Sequence, residues 1–175
     1  NEMAQELIAE AGYGEDNPLE LEIIYNTSDS HRAIAVAISQ MWKQTLGVET
    51  TLANQEWATY LDTRGEQNYE IARAGWCADY AEPSTYLDLF TTTSSYNDGK
   101  YSNAEVDALM QEAKLADDPL SLYQRVEEIA AEEAAIIPIY HYASVRMMSP
   151  NLENWPTENL LQNWYSRDLY ISASE

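Results

Sequence analysis

The chain has 175 residues, enough for one compact domain or one lobe of a larger protein. Its 30 Asp and Glu against 9 Lys and Arg give a net charge of −21, which repels nucleic-acid phosphates and predicts a solvated acidic surface suited to salty surroundings. Apolar residues make up 45 %, so a core is expected, and no apolar run is long enough to span a membrane.

The opening NEMAQELIAEAGYG has no basic stretch followed by an apolar one, so it is not a signal peptide. It reads as a helix cut from a longer chain, with Met3, Leu7, Ile8 and Ala11 on one face and Gly12 or Gly14 ending it. Asn17-Pro18 breaks the chain, and LELEIIYN alternates as a strand. Thr27 to Ser30 offers caps for a helix over HRAIAVAISQMWKQTLG. Ile34, Ile38, Met41 and Thr45 form its stripe, Ala37 and Trp42 widen it, and Gly47 stops it. VETTLANQ is a second strand, Trp57 to Gly65 a short helix turning Leu61 inward, and Tyr69 to Trp76 a third strand.

Beyond Pro83 the chain turns helical through TYLDLF, then enters a polar loop. Ser102 to Glu105 reads as a capping box for a helix with Val106, Leu109, Met110 and Ala113 at core spacing. Asp118-Pro119 starts another helix, with Leu122, Val126, Ile129 and Ala130 facing inward. IIPIYHYASVRMM reads as a strand that seats His141 in the core beside Ile137 and Ile139. The aromatic tail adds a last strand. This alternation implies an α/β fold with a mostly parallel sheet flanked by helices. The main domain runs to residue 149, and a tail covers 150–175.

The chemistry concentrates in RAGWCADYAEP, Arg73 to Pro83. In such sheets ligands sit beyond the C-terminal strand ends, and this string lies at one. Alternation sets Ile71, Arg73 and Cys77 on one face and Ala72, Ala74 and Trp76 on the other. Gly75 lets another backbone approach, and Asp79 points its carboxylate past the strand, unless it serves as a helix cap or turn residue. The result is a mouth with one anion, one cation and an aromatic wall. Arg73 as a buried strand support and Trp57 as core packing are the bland alternatives.

Cys77 is the sole cysteine, so no internal disulfide forms, and no Cys/His cluster has zinc spacing. Paired with His31 or His141 it would be a thiol nucleophile; alone, a free thiol is a small buried apolar group. His31, after a polar loop at a helix start, is expected to be exposed. No phosphate loop, dinucleotide fingerprint, nucleophile elbow or zinc-protease motif occurs. No metal or cofactor is expected.

The blocks YNTSDSHRAIAVAISQMWKQTLGV, NQEWATYLDTR, YEIARAGWCADYAEPSTYL and IIPIYHY occur in this order. They resemble consecutive blocks of the periplasmic oligopeptide-binding proteins, the extracytoplasmic receptors of peptide-importing ABC transporters. Members of that family are considerably longer than this chain. The resemblance, from about Leu19 onward, implies a periplasmic-binding-protein-like (type II) lobe, the C-terminal lobe of a two-lobe receptor, with a tail returning toward the other lobe. It implies a non-enzymatic, monomeric receptor, periplasmic or lipid-anchored, handing short peptides to an inner-membrane permease.

The resemblance also implies roles. Asp79 would bind the peptide's α-amino group. Ala74, Gly75, Trp76 and Cys77 would offer main-chain groups to its backbone. Arg64, Arg73 and His31 would receive its carboxylate, Trp57 and Trp76 would wall roomy hydrated pockets, and Tyr142 would lie near its amino end. The surface is more acidic than the family leads one to expect. Other solutes on the same scaffold (dipeptides, nickel, opine-like compounds) are the alternative, and a cysteine hydrolase is the alternative from another class.

Overall fold

In the computed structural model, which describes residues 1–172, the chain divides into two compact units, Asn1–Trp76 and Cys77–Glu175. The first opens with α1 (Glu2–Glu10), which Gly12 ends at φ +86°. Gln5 Nε2 donates to the Thr45 carbonyl at 2.8 Å, but the expected apolar face of α1 packs little. Met3 and Leu7 stay exposed, and no residue of the helix is buried.

LELEIIYN folds as β1 (Glu20–Asn26). It is followed by α2 (Asp29–Leu46), β2 (Glu49–Gln55), α3 (Trp57–Gly65) and β3 (Ile71–Ala72). The three strands form a parallel sheet in the order β2-β1-β3. Glu20 pairs with Glu49 and Ile23 with Ile71. The central strand β1 carries the buried run Ile23, Ile24 and Tyr25, as a strand flanked on both sides and covered by helices should. Gly47 adopts φ +71° and closes α2 with its N–H on the Lys43 carbonyl, a left-handed cap that glycine takes without steric cost.

The buried face of α2 is rotated from the expected stripe. Ala35 is buried and Ile34, Ile38, Trp42 and Thr45 are half-buried, while Ala37 and Met41 face solvent. In α3 it is Tyr60, not Leu61, that turns inward: Tyr60 is 1 % exposed and Leu61 42 %. The third strand is shorter than Tyr69 to Trp76. After Ala72 one more ladder bond forms, Arg73 N–H to the Ile24 carbonyl at 2.9 Å. The Arg73 carbonyl is then taken by the Tyr60 hydroxyl. A side chain thus occupies the place of the next strand partner, and Ala74 to Ala78 runs outside the ladder.

The second unit is built on helices. It contains α4 (Ser84–Leu87) with a 3-10 turn over Asp88–Phe90, α5 (Ala104–Ala113) and α6 (Leu120–Glu132). Leu87, Val106, Met110, Ala113, Tyr123, Val126 and Ile129 form its core. The cap of α5 is Asn103 rather than Ser102: Asn103 Oδ1 accepts from the Glu105 and Val106 N–H groups at 2.8 and 3.2 Å. Ser102 instead bonds Thr92 through its hydroxyl. Asp118 Oδ1 accepts from Leu120 N–H at the start of α6.

IIPIYHYASVRMM is not a strand. Its apolar side chains have no ladder partner among the described residues, and Ile137, Ile139 and Met147 stand in solvent. His141 is exposed with them and is no core histidine. The tail does form strands, β4 (Leu152–Glu153) and β5 (Tyr170–Ile171), paired antiparallel. The fold is therefore α/β, with a parallel sheet flanked by helices, as the alternation of elements implies. Among the described residues no helix is long and apolar enough to cross a membrane.

Candidate functional site

The C-terminal ends of β1, β2 and β3 deliver Asn26, Gln55 and Arg73 to one edge of the sheet. Parallel strands make this edge the natural place for a ligand, because the loops leaving it are not needed for the ladder. Thr27 knits β1 to β2 there: its N–H and hydroxyl reach the Gln55 carbonyl at 2.9 and 3.0 Å. The turn into α2 brings His31 back over the end of β1, where its Nδ1 lies 2.9 Å from Asn26 Oδ1. His31 is half-buried rather than exposed.

On α3, residues 57, 60 and 64 share a face, one helical turn apart. The Trp57 and Tyr60 rings stack with centroids 5.9 Å apart and planes at 28°. The Arg64 guanidinium sits 5.6 Å from the Tyr60 ring centroid, a cation–π contact. Tyr60 in turn holds the Arg73 carbonyl. Trp57 itself is 54 % exposed, so its ring is not core packing.

Four of the expected residues, His31, Trp57, Arg64 and Arg73, therefore gather around Tyr60 and the sheet edge. Electrostatics ties them together. Burial lowers the pKa of His31 below the usual 6.5, the Arg73 charge lowers it further, and the bond to Asn26 opposes both. Burial raises the Tyr60 pKa against the pull of Arg64 and Arg73. Protonated His31 is disfavoured in the fold, so its contribution to stability is intact above 6.5 and is lost as pH falls through the lowered value. Arg73→Gln is expected to move the His31 titration, followed by NMR, upward but still below 6.5, because burial, the larger cause, remains. A titration that stays in place or falls would show that the two side chains do not sense each other.

Ala74, Gly75 and Trp76 follow in the same unit, outside the ladder; the first two are exposed and Trp76 is half-buried. The other three expected residues belong to the second unit. Cys77 is exposed, so the reading of it as a small buried apolar group does not hold. Asp79 is also exposed. Its backbone N–H donates to the buried Thr85 hydroxyl at 3.0 Å. Among the described residues of its own unit its carboxylate neither caps a helix nor forms an ion pair, and Pro83 occupies the cap position of α4. Tyr142 is 55 % exposed, its ring edge-on to Tyr140 at 5.1 Å.

The sequence reading missed Tyr60, Asn26 and Thr85. The 57, 60, 64 spacing pointed to Tyr60, and Asn26 is the last residue of a strand ahead of a polar turn. Nothing in the sequence singled out Thr85. Among the described residues no group of His, Cys, Asp and Glu is arranged to hold a metal ion.

Residues 1–98 match the family model described as bacterial extracellular solute-binding proteins, family 5 Middle. The periplasmic oligopeptide-binding protein OppA of Escherichia coli K12 is 41 % identical over 98 % of this chain, which covers 32 % of that protein. The chain thus spans about a third of the length of the curated relatives it matches. Among solved structures, Haemophilus influenzae OppA in complex with the peptide RPPGFSPFR aligns at 38 % identity and a TM-score of 0.87, over 97 % of this chain and 34 % of that one. The E. coli murein tripeptide binding protein MppA aligns at 41 % identity, again with a TM-score of 0.87, over 97 % and 34 %. This likeness assigns the fold to the type II periplasmic-binding-protein class.

Proposed function

This chain belongs to the bacterial extracellular solute-binding proteins of family 5, and on that premise we propose that it forms the peptide-binding lobe of an extracytoplasmic receptor serving an ABC-type peptide importer. Residues 1–149 are the lobe in this reading, and 150–175 the tail that returns toward the rest of a longer receptor. The receptor is a monomer that captures a short peptide outside the inner membrane and delivers it to a permease. It performs no chemical step.

The observation that carries the reading is chemical. In the second unit Asp79 offers an exposed carboxylate; in the first, the cationic Arg64, over the Tyr60 ring, and Arg73 lie at the sheet edge with a largely neutral His31 beside Asn26. A short peptide has a cationic front end and an anionic back end. Its α-amino group has a pKa near about 7.7–8.0 and is largely charged at neutral pH. Asp79 receives it through a charge-assisted hydrogen bond. The backbone of Ala74, Gly75, Trp76 and Cys77, outside the ladder, pairs with the peptide backbone as an added strand does, which gives affinity without reading side chains. Trp57 and Trp76 wall the side-chain pockets, where water adapts the fit. Tyr142 lies toward the amino end. Names of the relatives add support: OppA binds oligopeptides and MppA a murein tripeptide.

The test is mass spectrometry of molecules that co-purify with the full-length receptor. A population of short peptides with free amino termini is expected. Co-purification of a non-peptide solute alone would overturn the reading.

A further inference from the structure

The carboxylate proposed to read the amine sits on a loop with no regular structure of its own, between Ala74 and α4. A charge on a free loop is a poor anchor, because the ligand must order the loop as it binds. In this chain the loop is already tied. Asp79 N–H donates to Thr85 Oγ1 at 3.0 Å. Thr85 is 5 % exposed, in contrast to the exposed Asp79.

Thr85 is itself held in place. Its N–H donates to the Glu82 carbonyl at 3.2 Å. The Glu82 carboxylate accepts from the Ser84 N–H at 2.9 Å and from the Ser84 hydroxyl. The Tyr80 hydroxyl lies 2.9 Å from the same Ser84 Oγ. Behind them stands Tyr123 on α6, 6 % exposed and part of the unit's core. Hydrogen bonding between its hydroxyl and Glu82 contributes to the shifted pKa values of both groups. Burial first, and then this bond, push Tyr123 up to about 12. At Glu82 burial acts upward, but the bonds from Ser84 and Tyr123 outweigh it and hold the carboxyl below its ordinary value. The turn is thus knit by hydrogen bonds from Glu82 and Ser84 through Thr85 to the Asp79 backbone.

We infer that Thr85, buried and held by its N–H on the Glu82 carbonyl, is the positioning residue for Asp79 and so sets how strongly the receptor prefers a free amino terminus. It touches no ligand atom. It fixes the backbone from which the carboxylate projects, and the ordering cost is met on folding rather than on binding. The inference rests on the peptide-receptor reading.

The test uses the full-length receptor, trialanine and N-acetyl-trialanine, with titration calorimetry. In Thr85→Val the shape stays and the acceptor is lost. Trialanine is expected to bind roughly ten-fold more weakly, about 1.4 kcal/mol, with N-acetyl-trialanine within two-fold of the parent. Thr85→Ser, which restores the hydroxyl, is expected to recover most of the preference. Equal weakening of both probes, or no change in either, would overturn the inference. Should Thr85→Val fail to fold, Thr85→Ala takes its place: it should lower the same preference, and an unaltered preference would overturn the inference. Asp79→Asn separates the two layers. If it leaves the preference for the free amine intact, the peptide-amine reading itself fails. If it abolishes that preference while Thr85→Val keeps it, only the positioning role fails.

Discussion

Asp79→Asn in the full-length receptor is expected to weaken binding of free-amine peptides by roughly 2–5 kcal/mol, the usual cost of removing one partner of a buried charge pair. That is about thirty-fold to several-thousand-fold in Kd. N-acetylated peptides, which carry no amine charge, should change little. The substitution is nearly isosteric, so packing is untouched and the loss reads the charge alone. In the folded chain described here Asp79 is exposed. On the proposed function, its charge gains full strength only where a bound ligand excludes water around it. An exposed pair is worth only about 0–1 kcal/mol. The same substitution in the isolated chain should accordingly have little effect on whatever weak peptide binding it shows. Calorimetry on both forms checks this. A large loss with acetylated peptides would mean that Asp79 acts through the fold rather than through the amine.

Much of the fold could be read from local signals. Trp57–Gly65 has the bounds expected of it, because Glu56 caps the first turn and the helix ends at glycine. Asn17-Pro18 and Gly47 punctuate the sheet region as turn chemistry demands. Helix phase was harder. The stripe on α2 includes Ala37 and Met41 if hydrophobicity alone is counted, yet Ala35 is the buried alanine; two identical residues carry the same local signal, and only tertiary packing decides between them. Leu61 and Tyr60 are adjacent on α3, and only the hydroxyl's tertiary partner decides between them.

The strand at Tyr69 to Trp76 and the run from Ile136 to Met148 failed for a shared reason. A strand needs a neighbour, and alternation says nothing about whether one is present. At the first, a tyrosine takes the carbonyl; at the second, no described residue forms a ladder. The charged and aromatic candidate residues were visible as residue types around a strand end. Their supports were not. Asn26 under His31 and Thr85 under Asp79 act through single hydrogen bonds across the fold, which leave no periodic trace in the sequence.

Tyr60→Ala should be the most damaging single change to the first unit, at about 3–5 kcal/mol, the range for truncating a fully buried aromatic. Tyr60 is the largest of the side chains with under 2 % exposure. Its ring supports Trp57 on one side and Arg64 over its face. Tyr60→Phe keeps that ring and removes only the hydroxyl. It leaves the Arg73 carbonyl without the bond that ends β3. The expected cost is about 1–3 kcal/mol, the desolvation penalty of an orphaned polar group. Urea denaturation of this chain, followed by tryptophan fluorescence, distinguishes the two variants. The raised pKa of Tyr60 adds a second check. Its neutral form is favoured in the fold, so its contribution to stability is whole below about 10 and is lost as pH rises through the raised value. In Tyr60→Phe that share of the alkaline loss should vanish. If Phe and Ala destabilise equally, the hydroxyl carries the whole effect and the ring packs against nothing of consequence. If Phe costs nothing, the sheet edge keeps its shape without the Tyr60 hydroxyl.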